Sequence, residues 1–480
     1  MAALRAGART HPALQWSGNA ALTNARFQAP ILEARDLEST AGSGGRLSQG
    51  TVVMETPDPS LVKQPERPRL RDIMGPGLIT GASDDDPSGI ATYSQAGAQF
   101  GYSLGWTLLL TFPLMAAIQQ IAAWIGRVTG RGLAGNMKRH VAAPVLYAVV
   151  GLMVVANVIN IGADLGAMAA ALQLLVGGPL LPYVAAFAIV TVLLEVFVRY
   201  SRYVSVLKWL TLSLFAYVAT VLAAGVDWVQ VGIHLVVPDI QWSSAYLTLV
   251  VAVFGTTISP YLFFWQAEQE VEDTQEHAGS RPLLRAPEQA GHELSRIRID
   301  TYLGMAFSNL IALCIVLTTA ATLHAHGVTD IETSSQAAEA LRPIAGRFTF
   351  VVFASGIIGT GLLALPVLAG SAAYATGEAL GWHVGLARRP GRARAFYATI
   401  AVATGVGALL NVVGLDPVKA LFWSAVVNGV VAVPVMAVML VLGCRTAVMG
   451  QFTLGRTLAV LGWLGTAVMA AAAVAMIVTW

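Results

Sequence analysis

The sequence predicts an all-α polytopic membrane protein of about 11 transmembrane helices, a 5+5 inverted repeat in which the first and sixth helices are discontinuous. Three observations predict it. The chain is 56% hydrophobic and 12% charged with a mean hydropathy of +0.65, outside the range of soluble domains. Apolar runs long enough to cross a hydrocarbon core of about 30 Å recur along it. Two of these runs, five apart, are interrupted at their middle by Pro and Gly beside carboxylates or hydroxyls, as the paired broken helices of inverted-repeat transporters are.

The runs fall near 73–99, 104–126, 142–173, 178–198, 203–224, 242–268, 299–324, 348–380, 395–414, 416–443 and 456–479. Orientation follows from Lys and Arg, which concentrate in cytoplasmic loops. With the N-terminus inside, 25 of the 29 lie in inner segments, and only Arg342 and Arg347 lie in outer loops. Lys208 and Lys419 fall just inside spans. The C-terminus is therefore expected outside, in the plasma membrane of a bacterium. Residues 72–224 form repeat one, 242–443 repeat two, and 456–479 an appended helix. Residues 1–71, with Arg scattered among Ala, Gly, Ser and Pro, read as a disordered cytoplasmic arm. That acid-poor start resembles a transit peptide, but a solvated tail or a start at Met54 accounts for it as well. A net charge of +2 argues against a nucleic-acid partner, and the expected partners are a divalent metal ion and the lipid bilayer, with a monomer as the functional unit. Cys314 and Cys444, on different spans, read as buried free thiols.

The first span carries the chemistry. Gly75-Pro76-Gly77-Leu78-Ile79-Thr80-Gly81-Ala82-Ser83-Asp84-Asp85-Asp86-Pro87-Ser88-Gly89 places three carboxylates in mid-membrane. Each costs roughly 2.5 to 3.5 kcal/mol at a helix centre unless water, protein or a cation shields it. The Pro-Ser-Gly that follows breaks the helix there, freeing carbonyls beside the acids. In the sixth span Phe254-Gly255-Thr256-Thr257-Ile258-Ser259-Pro260-Tyr261 repeats the pattern with hydroxyls. Asp86 with oxygens from Thr256 to Ser259 makes an all-oxygen shell suited to Mg²⁺, Ca²⁺ or Mn²⁺, and neither break holds Met, Cys or His. Asp84 and Asp85 point elsewhere on a helix and read as holders of water around a partly hydrated ion.

Gly75-Pro76-Gly77, Asp86-Pro87-Ser88-Gly89 and Gln95-Ala96-Gly97-Ala98-Gln99-Phe100-Gly101-Tyr102 resemble the first span of the NRAMP divalent-metal transporters, where Asp-Pro-Gly-Asn precedes a similar Ala-Gly-Ala-rich run. The resemblance extends over roughly residues 72 to 479. It implies a LeuT-like fold with a metal site between the first and sixth spans and Asp86 as the metal-binding aspartate. Gly89 stands where the family has its metal-binding Asn, and Ser259-Pro260-Tyr261 where it has Met-Pro-His. On the third span Asp164 matches one proton-coupling carboxylate, whereas Ala167 occupies the place of the usual Glu. The pattern is similar to the divergent NRAMP-related magnesium transporters, which lack the methionine.

The candidate metal set is therefore Asp86, Asp85, Gly89, Thr256, Ser259 and Asn428, with Asp164 and Tyr261 on an ion or proton pathway and no resident cofactor. Asn428-Gly429 reads equally as a helix-packing step. Glu268, Glu270, Glu272 and Asp273 read as an acidic exit vestibule or a solvated helix end. Glu195 and Lys208 read as snorkelling side chains. His324-Ala325-His326, at an outer span end, has the composition of a ligand pair but the position of a loop. The resulting expectation is a transporter, not an enzyme, that passes a hard divalent cation, Mg²⁺ before Mn²⁺, by alternating access and without strict proton coupling. Its rivals are a proton-coupled Mn²⁺/Fe²⁺ importer, an intramembrane aspartyl hydrolase using Asp86 and Asp164, and a sodium-coupled symporter of organic solutes.

Overall fold

The computed structural model describes residues 76–198, 214–277, 279–414 and 416–479; the predicted N-terminal arm and Lys208 lie outside them. The first span is split into α1 (Pro76–Asp84) and α2 (Pro87–Phe100). Next come α3 (Gly105–Thr129), α4 (Ala143–Val176), α5 (Leu180–Phe197) and α6 (Phe215–Ala223), the described part of the fifth span. The sixth span is split in the same way into α7 (Ser244–Thr257) and α8 (Pro260–Glu276). The remaining spans are α9 (Ala290–Thr322), α10 (Thr349–Leu380), α11 (Arg394–Leu410), α12 (Pro417–Cys444) and α13 (Arg456–Thr479). Among the described residues nine helical stretches are long and apolar enough to cross a membrane. The broken first span and the partly described fifth complete the predicted set.

Both breaks form for the same local reason. Pro87 and Pro260 occupy first-turn positions of their half-helices, where a missing N–H costs nothing and the fixed φ suits a helix start. The residue before each is extended: Asp86 at φ −71° and ψ 170°, Ser259 at φ −80° and ψ 130°. Each break then satisfies its own freed groups. Asp86 Oδ1 accepts from Gly89 N at 2.7 Å, and the Ser259 hydroxyl lies 2.8 Å from the Gly255 carbonyl and 2.9 Å from that of Thr256.

Packing crosses between the repeats. Half-helix α2 lies on α9 and, as its counterpart, α8 lies on α3, while α4 runs along α10. Glycines permit the closest approaches. A Cβ at Gly77 would fall 2.8 Å from Thr301 N, and one at Gly429 would fall 2.6 Å from the Val251 carbonyl, so the backbones approach closely at both places. Gly429 is thus a packing residue between α12 and α7. The structure corrects two finer expectations. Helix α9 starts at Ala290 rather than near 299, and Cys444 is an exposed free thiol, while Cys314 is buried.

Candidate metal site

Asp86 is 2% exposed and is held from three elements. Its Oδ1 caps α2 through Gly89 N. Its Oδ2 accepts from Asn160 Nδ2 on α4 at 3.0 Å and from the Tyr261 hydroxyl on α8 at 3.3 Å. A capping carboxylate at a helix N-terminus also lies at the positive end of the helix dipole. These donors and the dipole offset part of the cost of burying a carboxylate between the breaks.

The other predicted residues are distributed unevenly around it. Gly89 faces α7: a Cβ there would meet Thr256 Oγ1 at 3.0 Å and the Asp84 carbonyl at 3.4 Å, so the absent side chain lets the Thr256 hydroxyl approach the first break. Ser259 is buried, but its hydroxyl turns back to its own helix. Asn428 is 1% exposed with its side-chain oxygen unpaired, and no hydrogen bond joins it to Asp86. Asp85 turns away from Asp86: its Oδ1 accepts from Ser308 Oγ on α9 at 3.3 Å, and Asp84 Oδ2 accepts from the same hydroxyl at 2.6 Å. Among the described residues no three His, Cys, Asp or Glu side chains converge on one point, so the three consecutive acids do not form one cluster.

Asp164 is fully buried on α4, with the Ser88 backbone of the first break beside it, and lies within electrostatic reach of Asp86 and Tyr261. Sequence reading missed Asn160, which touches Asp86 directly, and Asn157, which donates to the Leu368 carbonyl at 2.9 Å and to Ser371 Oγ at 2.8 Å. A signal was present: Asn157, Asn160 and Asp164 recur at i, i+3 and i+7, one polar stripe on an otherwise apolar helix.

The ends of the site differ. At the predicted inner end, Gly77 N donates to Asp300 Oδ2 at 2.6 Å and Thr80 donates to Gln266 on α8, closing α1 against α9 and α8. Of the four acids read as a vestibule or a solvated helix end, Glu270 and Asp273 are met there by arginine. Glu270 pairs with Arg296 at 2.6 Å, and Arg127 reaches Asp273 at 3.3 Å and Glu293 at 3.0 Å. Glu272 accepts from Tyr374, and Glu378 from the amides of Gly132 and Gly135. Glu195 does not snorkel; it is 5% exposed on α5. At the predicted outer end, a cavity of about 310 Å³ opens among Gln95 and Gln99 of α2, Thr248 of α7, Asp330, and Lys419 and Trp423 of α12. His324 is a packing residue whose Nδ1 lies 2.8 Å from the Ala98 carbonyl at the end of α2.

The chain resembles known proteins in sequence and in fold. The divalent metal cation transporter MntH of Deinococcus radiodurans is 27% identical over 406 residues, 82% of this chain and 87% of that protein. MntH of Burkholderia ambifaria is 27% identical over 413 residues, 83% of this chain and 87% of that protein. The Eremococcus coleocola manganese transporter superposes with a TM-score of 0.70 at 17% identity, covering 88% of this chain and 89% of that one. Mhp1, a nucleobase-cation-symport-1 family transporter, superposes with a TM-score of 0.51 at 12% identity, covering 85% and 92%. At such identities the structures establish the fold alone, a LeuT-like helical arrangement. The family model described as natural resistance-associated macrophage protein-like matches residues 77–479. These relationships set the hydrolase reading aside, and with the family model spanning most of the chain, the protein belongs to the Nramp family of integral membrane transporters.

Proposed function

We propose that the protein carries a hard divalent cation, Mg²⁺ before Mn²⁺, across the membrane by alternating access, with Asp86 as its direct ligand. The observation that carries this reading is the placement of Asp86 between two broken helices, where its carboxylate caps Gly89 and the Thr256 hydroxyl lies against the same glycine. Oxygen donors of this kind suit Mg²⁺ and Mn²⁺. The divalent class is further supported by the relatives, named as divalent metal cation transporters, and by the Eremococcus protein, titled a manganese transporter. Preference for Mg²⁺ rests on this chain alone, in which Ser259 and Gly89 stand at the positions of the family's Met and Asn. An ion entering from the outer cavity and released after α1 leaves α9 and α8 crosses without both ends open at once. Membrane potential contributes about 2.3 kcal/mol per charge per 100 mV, enough to drive a dication inward without protons.

Uptake into liposomes containing the purified protein tests this. Mg²⁺ uptake should saturate, Mn²⁺ should compete with it, and Asp86→Ala should remove both while the protein still folds. Uptake by Asp86→Ala at the wild-type rate would place the site elsewhere. A second reading, a proton-coupled Mn²⁺/Fe²⁺ importer, is favoured by the relatives' names and by Asp164, buried beside Asp86. Internal acidification that tracks metal entry and disappears in Asp164→Asn would select it.

A further inference from the structure

We propose that the cleft between α9 and α13, at the predicted inner face of the membrane, binds the phosphodiester headgroup of an anionic phospholipid. None of the residues assigned to the transported ion lines it.

Helices α9 and α13 both pack on α3, and a cavity of about 710 Å³ opens between them. Arg298 of α9 and Arg456 of α13 line it, and among the described residues no Asp or Glu lines it with them. Neither arginine forms an ion pair with a described residue, whereas Arg127 and Arg296 are both paired. Backbone donors add to the positive charge. Arg456, Thr457 and Leu458 begin the 24-residue α13 at the cavity wall, and the first backbone bond into that end runs from Ala459 N to the Gly455 carbonyl at 3.0 Å. The N–H groups of that first turn therefore have no intrahelical partner, and they sit at the positive end of the helix dipole.

Gln120 independently points to a ligand. It lines the cavity from α3, is only 4% exposed, and its amide has no hydrogen-bond partner among the described residues. An enclosed amide left unpaired costs free energy until something polar meets it. Its N–H₂ and its carbonyl can both serve the oxygens and hydroxyls of a headgroup.

The rest of the wall decides between a lipid and a soluble phosphate. Leu294 of α9 and Leu461 of α13 line the cavity, and the same helices continue into exposed apolar side chains, Ile299 and Leu303 on one and Val460 and Leu464 on the other. Trp124 and Tyr302 line it as well, the side chains that collect at headgroup level. A ligand that meets guanidinium forks at one end and leucines at the other is amphiphilic. Basic clefts between spanning helices on the cytoplasmic side are sites of this kind. The bound lipid ties α13 to α9, the helix against which α1 closes.

The test uses the full-length protein, freed of lipid in a neutral detergent. Phosphatidylglycerol, phosphatidylcholine or glycerol phosphate is added at equal concentration. The readouts are the thermal midpoint and the number of lipids retained in native mass spectrometry. Phosphatidylglycerol should raise the midpoint and leave one tightly retained lipid, and the other two should do neither. Arg298→Gln combined with Arg456→Gln should weaken that lipid about tenfold or more and remove the midpoint shift. Both side chains are exposed, so this variant should fold as wild type does. Arg389→Gln combined with Arg392→Gln, exposed on the same predicted face but outside the cleft, should change neither readout. No retained lipid in the wild type, or undiminished retention in the Arg298/Arg456 variant, would overturn the site. Equal stabilisation by phosphatidylcholine, or an equal loss in the Arg389/Arg392 variant, would overturn recognition of charge at this cleft. An equal shift from glycerol phosphate alone would overturn the assignment to a lipid.

Discussion

Asp86 accepts three hydrogen bonds, one of them from Tyr261. Hydrogen bonds to charged groups contribute about 1.5 to 3 kcal/mol, and the 3.3 Å length puts this one at the weak end. Tyr261→Phe should therefore weaken metal binding about tenfold in calorimetry, with the helix break intact. Ser259→Met exchanges a hydroxyl occupied with its own carbonyls for a free thioether. Binding of Cd²⁺ relative to Mg²⁺ should rise at least tenfold, and an unchanged ratio would mean that position 259 does not face the ion. Asp86 was legible in the sequence because everything that marks it is local: a carboxylate, then Pro, inside an apolar run. Asn160 and Ser308 were not legible, because their partners lie 74 and 224 residues away and only tertiary packing brings them together.

At the scale of elements, the closing of the predicted inner end depends on how near α1 comes to α9. Gly77 and Gly81, one turn apart, present bare backbone to Asp300 and Gly304. A Cβ at Gly81 would run into the Gly304 backbone, which cannot yield as a flexible side chain would. Gly81→Leu should thus hold α1 off α9, and a cysteine introduced at Ser83 should become reactive to a membrane-impermeant thiol reagent from the inner side. No gain in labelling would show that α1 is not the inner closure. The two breaks and nearly all spans could be read from hydropathy and from Pro placement. The early start of α9 could not, since Glu293 and Arg296 look like a solvated loop until Arg127 and Glu270 are placed against them.

For the whole molecule, the ion pairs tie together spans from both repeats: Arg127 on α3, Glu270 and Asp273 on α8, Glu293 and Arg296 on α9. Arg127 is 1% exposed, so removing it leaves carboxylates facing each other. Arg127→Ala should cost about 3 kcal/mol, at the low end for a broken buried pair because Asp273 and Glu293 keep partial exposure. A lowered thermal midpoint in detergent would register it. Arg127→Lys should recover only part of the loss, since an ammonium cannot fork to two partners.

The unequal ends also decide where the membrane's electric field falls. Water in the outer cavity conducts, so little voltage drops between the bulk solution and the floor of that cavity. Most of it drops across the packed layer between that floor and the predicted inner surface. A dication moved through that layer gains up to about 4.6 kcal/mol per 100 mV. Voltage should therefore accelerate the exit step strongly and change the apparent affinity for external metal little, so that hyperpolarising the liposomes raises the maximal uptake rate at nearly constant half-saturation.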